Sequence, residues 1–157
     1  MPPTPNLRVK VAALTLSAAG LVGILTHEGF RPTTSVDSVG VPTIGFGTTE
    51  GVKRGDRITV EKALVRALTD VSKFEGALKK CVKVPLFQYE YDAYLDFSYN
   101  IGSTKFCSST LVKKLNSGDY AGACREISRW VKQPELASRR QEERDLCEGK
   151  VPAQVAH

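Results

Sequence analysis

The sequence predicts an α+β fold, mostly helical, in which a small N-terminal β-hairpin or sheet is followed by a run of helices. Three observations carry this. Residues 28–55 are rich in Thr, Gly and Val; apolar residues recur at helical spacing from Thr59 onward; and no internal repeat or low-complexity linker divides the chain. With 157 residues, 41% of them hydrophobic, the chain is long enough for one compact domain with a core and short for two.

The elements follow in order. Ser17 can cap a first helix with Leu21, Ile24 and Leu25 on one apolar face. Val41-Pro42-Thr43-Ile44-Gly45-Phe46-Gly47 reads as a short strand beside a turn at Ser38-Val39-Gly40. Thr59 can cap a long connecting helix reaching about Lys80, with Leu64, Leu68, Val71 and Leu78 at helical spacing. Pro85 breaks the pattern, after which Phe87, Tyr91, Tyr94, Leu95 and Phe97 crowd a core helix ending at Asn100-Ile101-Gly102. Ser109 can cap Thr110 to Leu115, Asp119 can cap a helix through Trp130, and Pro134 closes that element. A charged helix from Leu136 to Cys147 ends before Gly149. The MPPTP start and the tail at 150–157 read as loosely held ends.

A formal net charge of +5 favours anionic partners, among which nucleic acid, membrane surface and cell-wall polymer all qualify. No dense Lys/Arg block or aromatic ribonucleoprotein motif is present, so no nucleic-acid partner is expected. Cys81, Cys107, Cys124 and Cys147 lack the short paired spacings of a zinc site, so neither a metal nor a cofactor is expected. Two disulfides in an oxidising compartment fit this spread better than four reduced thiols.

After Arg8 and Lys10 the chain runs from Val11 to Thr26 without a charge. Sixteen residues as a helix span about 24 Å against a hydrocarbon core of about 30 Å, and many of them are Ala, Gly, Ser and Thr. A signal peptide cleaved after Ser17-Ala18-Ala19, a plain buried helix, and a weak signal anchor that later becomes the first helix are the three readings. Only the third accounts for both the basic flank and the small-residue composition.

Glu28 stands at the end of the first helix, Asp37 in the turn region and Thr43 on the returning strand. Glycosidic cleavage needs a carboxylic acid to protonate the leaving oxygen and a second carboxylate on the other face of the sugar. A hydroxyl can hold the attacking water. A Glu ending a helix and an Asp in a turn are also ordinary structural residues, so spacing alone favours the structural reading.

The stretch Glu28-Gly29-Phe30, then Asp37-Ser38-Val39-Gly40-Val41-Pro42-Thr43-Ile44-Gly45-Phe46-Gly47-Thr48-Thr49, resembles the catalytic motif of phage-type lysozymes. Phe97-Ser98-Tyr99-Asn100-Ile101-Gly102, Leu115-Asn116-Ser117-Gly118-Asp119, Arg129-Trp130 and Arg139-Arg140-Gln141-Glu142-Glu143-Arg144 extend the resemblance from Ser17 to Gly149. It implies a two-lobed catalytic domain over 17–149 and an endolysin that hydrolyses the β-1,4 bonds between N-acetylmuramic acid and N-acetylglucosamine in peptidoglycan. Glu28 is then the general acid, and Asp37 and Thr43 position or activate water. Asn100 is a candidate substrate-binding residue, with a helix-ending role equally open. Arg139 or Arg140 would support Glu28, or else face solvent. Trp130 is expected in the core and His27 as an exposed or interfacial side chain. Two departures, Ser35 where many relatives carry an aromatic residue and Thr48 where many carry His, put substrate contacts in doubt.

The weakly apolar N-terminus, together with this motif, resembles the signal-anchor-release endolysins. Export to the periplasm, an inner-membrane tether through residues 11–26 within the segment 1–26, and a monomer are the resulting expectations. The anchor has no cysteine, which leaves refolding of the segment as the switch. Cys124 is expected to pair with Cys147 and Cys81 with Cys107, the other two connectivities staying open. A lytic transglycosylase and a non-catalytic wall-binding module are the competing functions.

Overall fold

The computed structural model describes residues 7–36 and 39–150. Asp37 and Ser38 lie outside the described residues, as do the MPPTP start and most of the expected tail. The described residues form two compact units: 22–36 with 39–73 is one, and 7–21 with 74–150 is the other. The chain passes between them within α1 (Ala18–Glu28) and α2 (Val60–Cys81).

In the unit Val22–Lys73, β1 (Arg31–Val36) and β2 (Pro42–Gly45) form an antiparallel two-stranded sheet, as the sequence predicts for this stretch. The register pairs Arg31 with Gly45 and Ser35 with Thr43. Between those pairs β1 uses more residues than β2, so the ladder is bulged there, a feature that re-aims side chains. The backbone of residues 56–58 flanks β1: Ile58 N–H donates to the Pro32 carbonyl at 2.9 Å and Thr34 N–H to that of Asp56 at 3.1 Å.

This unit's core gathers Phe46, Ala63 and Ala67, with Leu25, Phe30 and Ile58 packed against them. The buried face of α2 departs in part from the predicted stripe. Val71 and Leu78 are buried as expected, whereas Leu64 and Leu68 are exposed and Ala63 and Ala67 are buried in their place. The reason is steric. Gly45 has φ +63°, and a Cβ placed there would stand 3.0 Å from the Ala63 Cβ, so the strand approaches α2 closely only over alanines. Thr59 caps α2 by accepting from Lys62 N–H at 3.3 Å.

In the other unit, α3 (Gln88–Ile101) is buried without interruption from Glu90 to Tyr99 and packs chiefly on α7 (Ala137–Cys147). Tyr94 and Phe97 meet Phe106 of α4 (Ser103–Cys107) at ring separations of 6.1 and 6.3 Å. Ser109 caps α5 (Thr110–Asn116) through Val112 N–H, and Asp119 caps α6 (Tyr120–Glu126) through Gly122 N–H. The α-helix expected through Trp130 ends at Glu126 and tightens into a 3-10 turn at Ile127–Arg129. That tightening leaves the Trp130 carbonyl outside the helical ladder, where Arg140 Nε takes it at 3.0 Å. Cys81 is bonded to Cys107 and Cys124 to Cys147, with Cα separations of 5.6 and 5.7 Å.

The segment leading into α1 is also structured. Val11–Ala13 forms a 3-10 turn, Leu14 is buried, and Ser17 accepts from Gly20 N–H at 2.9 Å as the helix cap. Among the described residues, no helix is long and apolar enough to cross a membrane.

Candidate active site

Glu28 is the last residue of α1 and is partly buried. Gly29 follows with φ +71°, a left-handed conformation that ends the helix and lets β1 start at Arg31. The returning strand carries Thr43, whose hydroxyl donates to the Val41 carbonyl at 3.3 Å and whose backbone pairs with Ser35. The hairpin thus returns the end of β2 beside the chain that leaves Glu28, with Gly45 opposite Arg31.

The two departures from the family motif have structural roles here. Ser35 receives a hydrogen bond from the Arg31 guanidinium. Thr48 is only 1% exposed and donates to Asp70 Oδ2 at 2.7 Å, while its backbone closes a turn onto Ile44 with bonds of 2.9 and 3.0 Å. Its side chain braces the turn after β2 against α2.

In the other unit, the paired arginines of α7 are both buried, which corrects the solvated-face alternative. Arg139 donates to Asp96 Oδ1 at 2.8 Å, to the Asp96 carbonyl at 3.2 Å and to Glu143 Oε2 at 3.1 Å. Arg140 donates to Glu143 Oε1 at 2.7 Å and to the Asn100 side-chain oxygen, with its guanidinium 5.1 Å from the Phe97 ring centroid. These bonds fit the forked geometry of arginine, which a lysine cannot reproduce. Asn100 itself is exposed, so Arg140 holds the amide oxygen of a side chain that faces solvent. Trp130 is partly buried and meets Phe97 edge-on at 5.8 Å. His27 is partly buried.

Burial pushes the Glu143 carboxyl up to about 8, and the neighbouring Asp96 adds to the effect while Arg140 and Arg139 oppose it. Asp96 and Glu143 were not singled out from sequence. For Asp96 the available signal was an acid between Leu95 and Phe97 in the aromatic-rich helix expected in the core, since a buried carboxylate needs a partner.

Residues 25–143 match the family model described as phage lysozyme. The chain is 40% identical over 142 residues to an endolysin of Acyrthosiphon pisum secondary endosymbiont phage 1, covering 85% of this chain and 97% of that protein. It is 38% identical over 127 residues to a SAR-endolysin of Pseudomonas phage phiKMV, covering 81% and 77%. Among solved structures, it is similar to an endolysin from Escherichia coli O157:H7 phage FAHEc1, with a TM-score of 0.79, 38% identity and coverage of 88% and 96%. The muramidase domain of SpmX from Asticaccaulis excentricus gives a TM-score of 0.80 at 29% identity, with coverage of 85% and 97%. The motif around Glu28 and Thr43, the helical fold and these matches agree: the chain is a member of the phage lysozyme family.

Proposed function

We propose that this peptidoglycan-hydrolysing endolysin is an N-acetylmuramidase that cleaves the β-1,4 bond between N-acetylmuramic acid and N-acetylglucosamine, with Glu28 as general acid. The position of Glu28 carries the reading. It closes α1 and is partly buried, and the chain that leaves it through Gly29 enters the hairpin that carries Thr43 back, so a carboxyl able to protonate the leaving oxygen stands at the start of the motif. Asp37 and Thr43 hold the water that attacks the anomeric carbon, and Asn100, with its oxygen held by Arg140, binds a sugar through its amide. Residues 17–149 make up the catalytic domain, which acts as a monomer.

Residues 11–26 serve first as a signal anchor in the inner membrane and fold into the first helix after release into the periplasm. Two features support this. Val22 remains 62% exposed in α1, an apolar side chain at home in lipid, and Thr26 donates its hydroxyl to the Val22 carbonyl at 2.7 Å, which lowers the cost of carrying it into a bilayer.

Purified protein incubated with peptidoglycan, with reducing ends assayed and products weighed by mass spectrometry, tests the chemistry. Hydrolysed muramic acid ends are expected, together with loss of activity in Glu28→Gln and Asp37→Asn. Anhydro ends would identify a transglycosylase, and full activity of Glu28→Gln would refute the role of Glu28. Membrane fractionation of cells before and after collapse of the membrane potential tests the anchor: protein that never pellets with membranes refutes it.

A further inference from the structure

Arg8, in the basic flank before the apolar stretch, is held more tightly than a surface arginine needs to be. Its Nε and Nη2 donate to the two carboxylate oxygens of Glu90, each at 3.0 Å. The guanidinium lies 3.5 Å from the ring centroid of Tyr120 and 4.4 Å from that of Phe87. Glu90 is 2% exposed and also accepts from Phe87 N–H at 2.8 Å, so the carboxylate is anchored at the start of α3 whether or not Arg8 is present. The Tyr120 hydroxyl donates to the Pro85 carbonyl at 2.8 Å, which fixes the second ring. A buried carboxylate offering a bidentate edge between two aromatic faces is selective for a planar guanidinium.

The neighbouring residues dock on the same unit. Val9 and Leu86 exchange backbone hydrogen bonds of 2.8 and 2.9 Å. Leu16 N–H donates to Glu75 Oε1 at 2.8 Å, which also receives the Tyr91 hydroxyl at 2.7 Å. Ser17 donates its N–H to Asp92 Oδ1 at 3.1 Å and its hydroxyl to Asp92 Oδ2. Gly20 belongs to this contact, because a Cβ there would stand 2.8 Å from Asp92 Cγ and from Leu16 Cδ1. A small residue at position 20 is therefore a docking requirement, whatever it does in a bilayer.

We propose that Phe87, Glu90 and Tyr120 form an intramolecular guanidinium site whose occupant is Arg8, and that filling it closes a clasp over residues 8–17 which keeps the apolar segment from returning to the membrane. The first half stands on the geometry alone. The second rests on the signal-anchor reading above. In the clasped state the Arg8 guanidinium, the Leu16 N–H and the Ser17 N–H and hydroxyl are spent on Glu90, Glu75 and Asp92, and reinsertion must leave these carboxylates without those partners.

Amide hydrogen exchange of the purified full chain, read in peptides covering residues 7–17, tests the clasp. In Arg8→Ala and in Tyr120→Leu, exchange at Val9 and through the segment is expected to speed up on the order of tenfold. Arg8→Lys keeps the charge but loses the fork, and is expected to follow Arg8→Ala. Unchanged exchange in Arg8→Ala overturns the proposal, and wild-type protection in Arg8→Lys overturns the selectivity for guanidinium. The same proteins are then floated with vesicles of phosphatidylethanolamine and phosphatidylglycerol, where Arg8→Ala and Tyr120→Leu are expected to associate more than wild type. Faster exchange with no variant floating upholds the guanidinium site and overturns its membrane role, while the anchor reading stands or falls separately on the membrane fractionation above.

Discussion

Arg140 donates to Glu143 across 2.7 Å, with the arginine side chain 2% exposed and the glutamate 0%. The pair does not stand alone, because the same guanidinium reaches the Trp130 carbonyl and the Asn100 side chain, while Glu143 also meets Arg139. One buried charge cluster therefore ties α7 to α3 and to the turn after α6.

Removing one member should be costly. Arg140→Leu takes away the donor shared by Glu143, Asn100 and the Trp130 carbonyl, and should lower unfolding free energy by about 1–3 kcal/mol for each buried acceptor left unsatisfied. Arg140→Lys should recover only part of it, since a single ammonium cannot serve three acceptors in different directions. Urea unfolding followed by circular dichroism measures both.

The Glu143 carboxyl also sets a pH dependence. Its ordinary value is 4.5 and burial raises it to about 8, so between those limits the folded chain keeps a proton that the unfolded chain releases. Stability from this group is complete below pH 4.5 and is lost as pH rises through about 8. Glu143→Gln is expected to flatten that decline. Melting temperatures of wild type and variant across the window, converging in slope only outside it, provide the check.

Thr48 is predicted to matter for stability and not for sugar contact. Thr48→Val keeps the shape and removes the hydrogen bond to Asp70, for a loss of about 1 kcal/mol. Peptidoglycan hydrolysis rates measured well below the melting temperature should stay at wild-type level. A large fall in rate with unchanged stability would reverse the assignment.

The Cys124–Cys147 bond joins α6 to α7 across a sequence separation of 23. Replacing both cysteines with Ala should cost about 2–4 kcal/mol, chiefly by freeing the unfolded chain. Thermal unfolding with and without reductant should show wild type approaching the variant once its thiols are reduced.

Local signals were readable where the chain interacts with its near neighbours. Ser17, Thr59, Ser109 and Asp119 each cap the helix expected to follow, because a cap needs only a side-chain oxygen and an N–H three residues on. The residues of the candidate site were recognisable as a family motif, whereas their spacing alone would not have separated chemistry from ordinary turn residues. Leu64 and Leu68 show the limit of periodicity. The spacing holds at Val71 and Leu78, but in the first turns of α2 the close approach of Gly45 to Ala63 puts the alanines inward instead.

By itself the sequence determined the order of helices and hairpin, the caps, the family and the identity of Glu28, Asp37 and Thr43 as candidates. Tertiary structure alone decided that Arg139 reaches Asp96, that Thr48 reaches Asp70, and that Arg8 lies against Glu90, 82 positions away. The physical reason is range. Capping and periodicity are set within a turn or two of the chain, whereas a charge enters a core only when distant segments arrive together with the partners that offset its lost hydration.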